Sequence, residues 1–335
     1  MKRITPKGIW HVLKNSFAGF SEHKITKLSA SLAYYTIFSL APLMILIVFI
    51  SSFFFGKEAV EGSIYGQIRG FVGQNAALQL QEIIKNAALQ GKGNVAAIVG
   101  GVTLLIGATT IFAEIQDSIN TIWGLKIKAK AGWFKLVKTR LLSFGVIASL
   151  GFLLLVSLGV TALVEGLTDR LQQKFPEITL VVFYIINLLI TFVVISTLFA
   201  VIFKVLPDAK VKYRDVIAGA IATAILFMLG KFAISFYISK SNLGDSYGTA
   251  GSIVVLLVWI YYSSIILYFG AEFTKAFAVE YGHEIYPNAY AVVSRTVEVE
   301  HGQKSVQQAE TETNKIQADV KDSEPGSGIQ IPEKK

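Results

Sequence analysis

The chain has 335 residues, of which 16% are charged and 53% hydrophobic, with a mean hydropathy of +0.55. A soluble domain carries about a quarter charged residues, so the composition argues against a soluble enzyme and puts lipid in the place of solvent. The formal charge of +8 is distributed beside predicted helix ends, as in a membrane topology signal and not a nucleic-acid footprint, and the lack of cysteine rules out disulfides, thiolate metal ligands and a cysteine nucleophile.

A bilayer core of about 30 Å is crossed by roughly 20 apolar residues in a helix. Six stretches qualify, approximately 30–55, 95–117, 140–164, 178–203, 215–239 and 249–274. Runs this long exceed any strand, and a barrel would need alternation. The expected fold is therefore all-α: a polytopic membrane protein with six transmembrane helices and short amphipathic helices at the interface. Lysine and arginine crowd the N-terminal segment, the loop from Lys126 to Arg140, and the loop holding Lys204, Lys210, Lys212 and Arg214. The third-to-fourth connection has only Arg170 and Lys174, and the fifth-to-sixth only Lys240. That asymmetry places both termini in the cytoplasm. The weakest point of this count is the first external loop, where Lys57, Arg69, Lys85 and Lys92 are offset by Glu58, Glu61 and Glu82.

Residues 1–29 form a cytoplasmic segment. Within it, residues 5–22 set Ile9, Leu13, Phe17 and Phe20 on one face with Trp10 beside it and Lys7 and Lys14 elsewhere. Two readings are open: an amphipathic helix on the inner membrane surface, or a helix packed under the bundle. The first span aligns Ser31, Tyr35, Ser39 and Pro42, and Pro42 predicts a kink near Phe38 that either serves packing or lines a path. Residues 57–94 are too long for a plain loop and suggest two short external amphipathic helices. A cleaved signal peptide is not expected, because the first apolar run is too long and lacks a small-x-small exit site.

The second span carries Thr103, Gly107, Thr110, Glu114 and Asp117 on one stripe, followed by Asn120. A small polar stripe on an apolar helix is expected to face other helices or a wet cavity. Because Glu114 and Asp117 sit near the inner end, the cost of about 2.5–3.5 kcal/mol for a charge at the bilayer centre shrinks. They either pair with nearby lysines or serve as a proton or cation relay. Trp123, Trp133 and Phe134 among Lys126 to Lys138 predict a connector touching anionic lipid headgroups.

Spans three and four are mostly apolar, with small residues suited to close approach; Glu165 and Asp169 fall at the outer interface, and Pro207 ends span four. Span five puts Asp215, Gly219, Ala222, Leu226, Gly230 and Ala233 on one packing face. Lys231 lies away from it, where it snorkels outward or pairs with Glu165 or Asp245. Gly244–Ser252 is a tight turn or unwound helix start and matches no phosphate loop. Span six aligns Ser252, Trp259, Ser263 and Gly270 on one face and Tyr261, Tyr268 and Glu272 on the other, which predicts burial on both sides. The bundle domain covers 30–280. From about Arg295 the composition turns polar, and 295–335 is expected to be a disordered cytoplasmic tail.

No catalytic group is expected. His11, His23, His283 and His301 lie outside the spans and form no metal-binding spacing, and there is no GxSxG elbow. No cofactor or metal is expected either.

Four segments together resemble the YihY/virulence factor BrkB family of bacterial inner-membrane proteins, which also circulates under a ribonuclease BN label. They are AYYTIFSLAPL at 33–43, IFAEIQDSINTIWG at 111–124, RDVIAGA at 214–220 and YGTAGSIVVLLVWIYYSSIILYFGAEFT at 247–274. The resemblance, over roughly 25–280, implies six membrane helices with both ends cytoplasmic, a location in the inner membrane and, for some members, a link to envelope lipid traffic. The zinc chemistry of the ribonuclease label has no residues here to supply it, and the tail after 295 departs from the family core. The leading expectation is a transporter-like protein for lipid or another amphipathic envelope molecule, with membrane lipids as partners and a homo-oligomer as an open possibility. The alternative is a non-transporting scaffold that recruits partners; a membrane ribonuclease comes third.

Overall fold

The computed structural model describes residues 4–39, 94–128, 145, 149, 176–240, 251–281 and 284–294. The expected kink at Pro42, the external helices of 57–94 apart from Asn94, most of the third span, Trp133, Glu165, Asp169, Asp245 and the tail fall outside these residues. By its internal contacts the chain divides into Met1–Ser294 and Arg295–Lys335, and all the described residues belong to the first unit.

Six helices are described: α1 (Pro6–Glu22), α2 (25–39), α3 (Asn94–Ile122), α4 (Pro176–Val205), α5 (Tyr213–Lys240) and α6 (Gly251–Glu280). Helix α1 starts where a capping sequence would put it. The Thr5 hydroxyl accepts from the Gly8 N–H at 3.1 Å, and Pro6 occupies the first turn, where its missing N–H costs nothing. It ends at Lys24, whose φ of +50° turns the chain directly into α2. Helix α3 ends at Gly124, with φ +69°, and the Lys275 ammonium caps it by donating to the Ile122 carbonyl at 2.6 Å.

Among the described residues, three helices are long and apolar enough to cross a membrane: Ile185–Val205, Tyr213–Ile234 and Ile253–Glu280. Their outward faces carry exposed Leu189, Val193, Ile225, Leu229 and Phe232, the pattern of a protein whose surroundings are hydrocarbon. Inside, Ile25, Ile119, Ile122, Phe203, Val216 and Tyr268 form the centre of the main core.

Helix α5 packs against both α4 and α6, and α1 packs against α6. The α5–α6 contact is a reciprocal clasp. Thr223 donates to the Gly219 carbonyl at 2.6 Å and fills the space beside Gly270; Thr274 donates to the Gly270 carbonyl at 2.7 Å and fills the space beside Gly219. A methyl group on either glycine would overlap the facing threonine. The packing face foreseen on span five is therefore right for Asp215, Gly219 and Gly230, which are buried, whereas Leu226 and Ala233 are exposed because the contact drifts round to Val216, Ala220 and Thr223.

Among the described residues, four very short strands add to the helical fold in a way the sequence did not announce. β1 (Leu125–Ile127) pairs antiparallel with β4 (Ala291–Val293), and β2 (Ala209–Lys210) with β3 (Tyr286–Pro287). The segment after α6 thus ties the end of α3 to the α4–α5 connection. These ties mark one end of the bundle, called the base here, where α3, α4 and α6 finish and α2 and α5 begin.

Candidate functional site: an apolar cavity beside two buried polar locks

Helices α2 to α6 line a partly open cavity of about 340 Å³, at the low end of small-molecule pockets. α3 contributes Ile111 and Ile115, α4 contributes Ile195, Leu198, Phe199 and Ile202, and α6 contributes Trp259 and Leu267. Phe199, Phe227 and Trp259 stand along one wall, edge-on and tilted to one another with centroids 5.9 and 5.8 Å apart, and Phe203 stacks on Phe199 from behind it at 6.0 Å. Three hydroxyl residues also line the space, but each is turned back on its own helix. Thr36 donates to Leu32 O at 2.7 Å, Ser263 to Trp259 O at 2.8 Å and Ser264 to Ile260 O at 2.7 Å. With its hydroxyls so engaged, the wall is almost wholly apolar.

Toward the base lie two polar locks. In the first, Asp208, 2% exposed, accepts from Gln116 Nε2 at 3.0 Å and from Asn120 Nδ2 at 2.9 Å, while its own N–H donates to Asn120 Oδ1 at 2.9 Å. Asn288 N–H donates to the Asp208 carbonyl at 2.9 Å. Burial pushes the Tyr290 hydroxyl above the usual phenol range, and the nearby Asp208 carboxylate adds to that shift. This lock joins α3 to the α4–α5 connection and to the strap after α6.

In the second lock, His23 Nδ1 contacts the carboxylate of Glu272, which is 3% exposed, and lies 3.1 Å from the Gly19 carbonyl. Gly19 makes room for it: a Cβ there would stand 2.6–2.7 Å from the Glu272 carboxyl group. The hydrogen bond to Glu272 raises the His23 pKa above the ordinary 6.5, burial opposes the shift, and the Glu272 and Glu22 charges outweigh Lys275. Glu272 lies five residues beyond Leu267, about 7.5 Å along α6, so this lock sits just past the cavity.

The residues singled out from sequence are dispersed. Ser263 lines the cavity; Asn120 and Glu272 belong to the two locks. Asp215 is buried at the first turn of α5 and Ser39 in α2, Lys231 is half-buried, and Tyr35 is 39% exposed. Thr110 donates to the Ile106 carbonyl at 2.8 Å, Glu114 is half-buried and Asp117 exposed, so this part of the stripe runs along the margin of the packed face of α3. Thr103 lies on α3, and Pro42 is outside the described residues. Sequence reasoning missed Asp208, Gln116 and His23. A usable signal existed for one of them: two amides four residues apart, Gln116 and Asn120, reach one partner from one helix face. Among the described residues no group of three His, Cys, Asp or Glu side chains could hold a metal ion.

Helix α1 presents two faces. Gly8, Val12, Ser16 and Gly19 bury against α6, where Phe17 meets Phe269 with ring centroids 5.0 Å apart. Ile4, Ile9, Trp10 and Phe17 remain exposed, Trp10 at 68%. The helix packs on the bundle through its small residues and still offers an apolar face.

Comparison with known proteins places these features in a family. The sequence model of the family described as virulence factor BrkB matches residues 16–291. The chain is 29% identical over 266 residues to a UPF0761 membrane protein of Pseudoalteromonas translucida (strain TAC 125), covering 77% of this chain and 83% of that one. It is 29% identical over 271 residues to a UPF0761 membrane protein of Vibrio vulnificus (strain YJ016), covering 77% and 80%. To one of Haemophilus influenzae (strain 86-028NP) it is 25% identical over 258 residues, covering 76% and 90%. No solved structure matches. The match takes in α2 to α6, the cavity and both locks, and the chain belongs to the virulence factor BrkB family of membrane proteins.

Proposed function

We propose that this membrane protein takes up and moves a lipid or another amphipathic molecule of the bacterial envelope, crossing the inner membrane six times with both ends cytoplasmic. The observation that carries the reading is the cavity of about 340 Å³ between helices suited to cross a membrane. A partly open, apolar space among such helices gives a hydrocarbon-bearing molecule a place to sit, which a protein that only holds others together does not need. The two locks supply what alternating access needs, a closed end made of contacts that can be broken and remade. No enzymatic step and no cofactor belong to this reading, and its partners are membrane lipids, with anionic headgroups at the base.

Reconstitution tests it. Vesicles holding the purified protein and a headgroup-labelled lipid should lose label to a membrane-impermeant reductant beyond the outer-leaflet share, as lipid crosses, and Leu198→Phe should slow the loss. Equal rates in protein-containing and empty vesicles for every labelled lipid and candidate solute would overturn the proposal.

A further inference from the structure

We infer that the cavity binds the hydrocarbon chain of a lipid and takes no part in recognising its headgroup. The inference rests on the lipid-moving reading above and sharpens it to one part of the molecule. A headgroup needs hydrogen-bond donors or a counter-charge, since a polar group left unpaired in a low-dielectric site is costly. Among the residues lining the space, the hydroxyls of Thr36, Ser263 and Ser264 are each engaged with a carbonyl of their own helix.

Neither lock offers itself instead. The Asp208 carboxylate has an amide donor on each oxygen, and Glu272 is engaged by His23. Apart from those hydroxyl residues, what faces the space is Ile, Leu, Phe and Trp, and three of the five helices that contribute it, α4, α5 and α6, are long and apolar enough to cross a membrane. Hydrocarbon is thus the material continuous with the cavity. In a bilayer a chain gains no hydrophobic driving force by leaving its neighbours, so fit inside the cavity has to hold it through packing. Selection should follow the shape and length of the chain, and lipids that differ only in headgroup should compete equally.

Trp259 reports on occupancy, being 7% exposed and part of the wall. The full chain is reconstituted in lipids brominated along the acyl chain, with zwitterionic, anionic or free carboxyl heads, and tryptophan emission is compared with that of Trp259→Phe. The expected result is loss of most of the Trp259 emission, to the same extent with all three heads, and recovery of that emission in Leu198→Phe, which fills the space while keeping Trp259. Quenching with no Trp259 component in the wild type overturns the inference, as does quenching that follows the headgroup. Should Trp259→Phe fail to fold, Leu198→Phe compared with wild type answers the same question. Chain-dependent quenching without transport in vesicles would leave this site standing and remove the transport reading, whereas transport without quenching would do the reverse.

Discussion

Asp208 and Asn120 hold each other by two hydrogen bonds of 2.9 Å, side chain to side chain in one direction and backbone to side chain in the other. Helices α3 and α4 both line the cavity, and this pair joins the end of α3 to the α4–α5 connection at the base. Asp208→Ala strands the Gln116 and Asn120 amides in a buried site and should destabilise the protein by about 2–4 kcal/mol. It should also open the base. Because the native chain has no cysteine, Ile202→Cys, at a position 5% exposed, can report on access without background. A membrane-impermeant thiol reagent applied from the base side should label it only when Asp208→Ala is also present. Equal labelling with and without that change would mean the lock does not close the cavity.

The His23 lock carries a pH signature. Its folded-state pKa is raised above 6.5, so the folded protein holds the proton more tightly than the unfolded chain does. The resulting stability is fully present below about pH 6.5 and is lost as pH rises through the folded pKa. Thermal unfolding followed across that range should show a Tm that falls with rising pH in the wild type and is flatter in His23→Gln. A His23→Gln variant with the wild-type slope would show that another group is responsible.

The Gly219 and Thr274 contact predicts a compensating pair. Gly219→Ala forces a methyl group into the Thr274 side chain and should cost about 1–3 kcal/mol. Thr274→Ala removes the obstruction, so the double variant should be more stable than the sum of the two single changes predicts. Simple additivity in unfolding measurements would contradict the clasp.

The exposed side of α1 should lie in the bilayer interface, where Trp10 and Phe17 meet acyl chains while Lys7 and Lys14 reach anionic headgroups. The emission lost in Trp10→Phe should, in the wild type, be quenched by brominated lipid and shielded from acrylamide. The opposite pattern would place this face in water.

The helices were legible because long apolar runs leave a chain in lipid no other way to satisfy its backbone, and α4, α5 and α6 run close to the stretches expected. The strands were not, since two or three residues carry no periodicity, and their pairing is decided by a segment more than 75 positions from β2 and more than 160 from β1. The same holds for the locks. Asp208 reads as one acid in a basic loop, and its partners are 88 and 92 residues away. His23 makes no metal spacing, and its carboxylate is 249 residues away. Helical spacing singled out Glu272, and Asn120 follows the polar stripe of α3, whereas the fold alone supplied what they touch. On α3, helical spacing shows which residues share a face but not which face the neighbours cover, so it left the surroundings of Glu114 and Asp117 open.

Native mass spectrometry of the protein released from detergent tests the central claim most directly. A hydrocarbon chain seated in the cavity predicts a lipid-bound species in the wild type that is lost in Leu198→Phe, with the bare protein mass alone remaining. A wild type and a Leu198→Phe variant that carry lipid equally, or not at all, would contradict it.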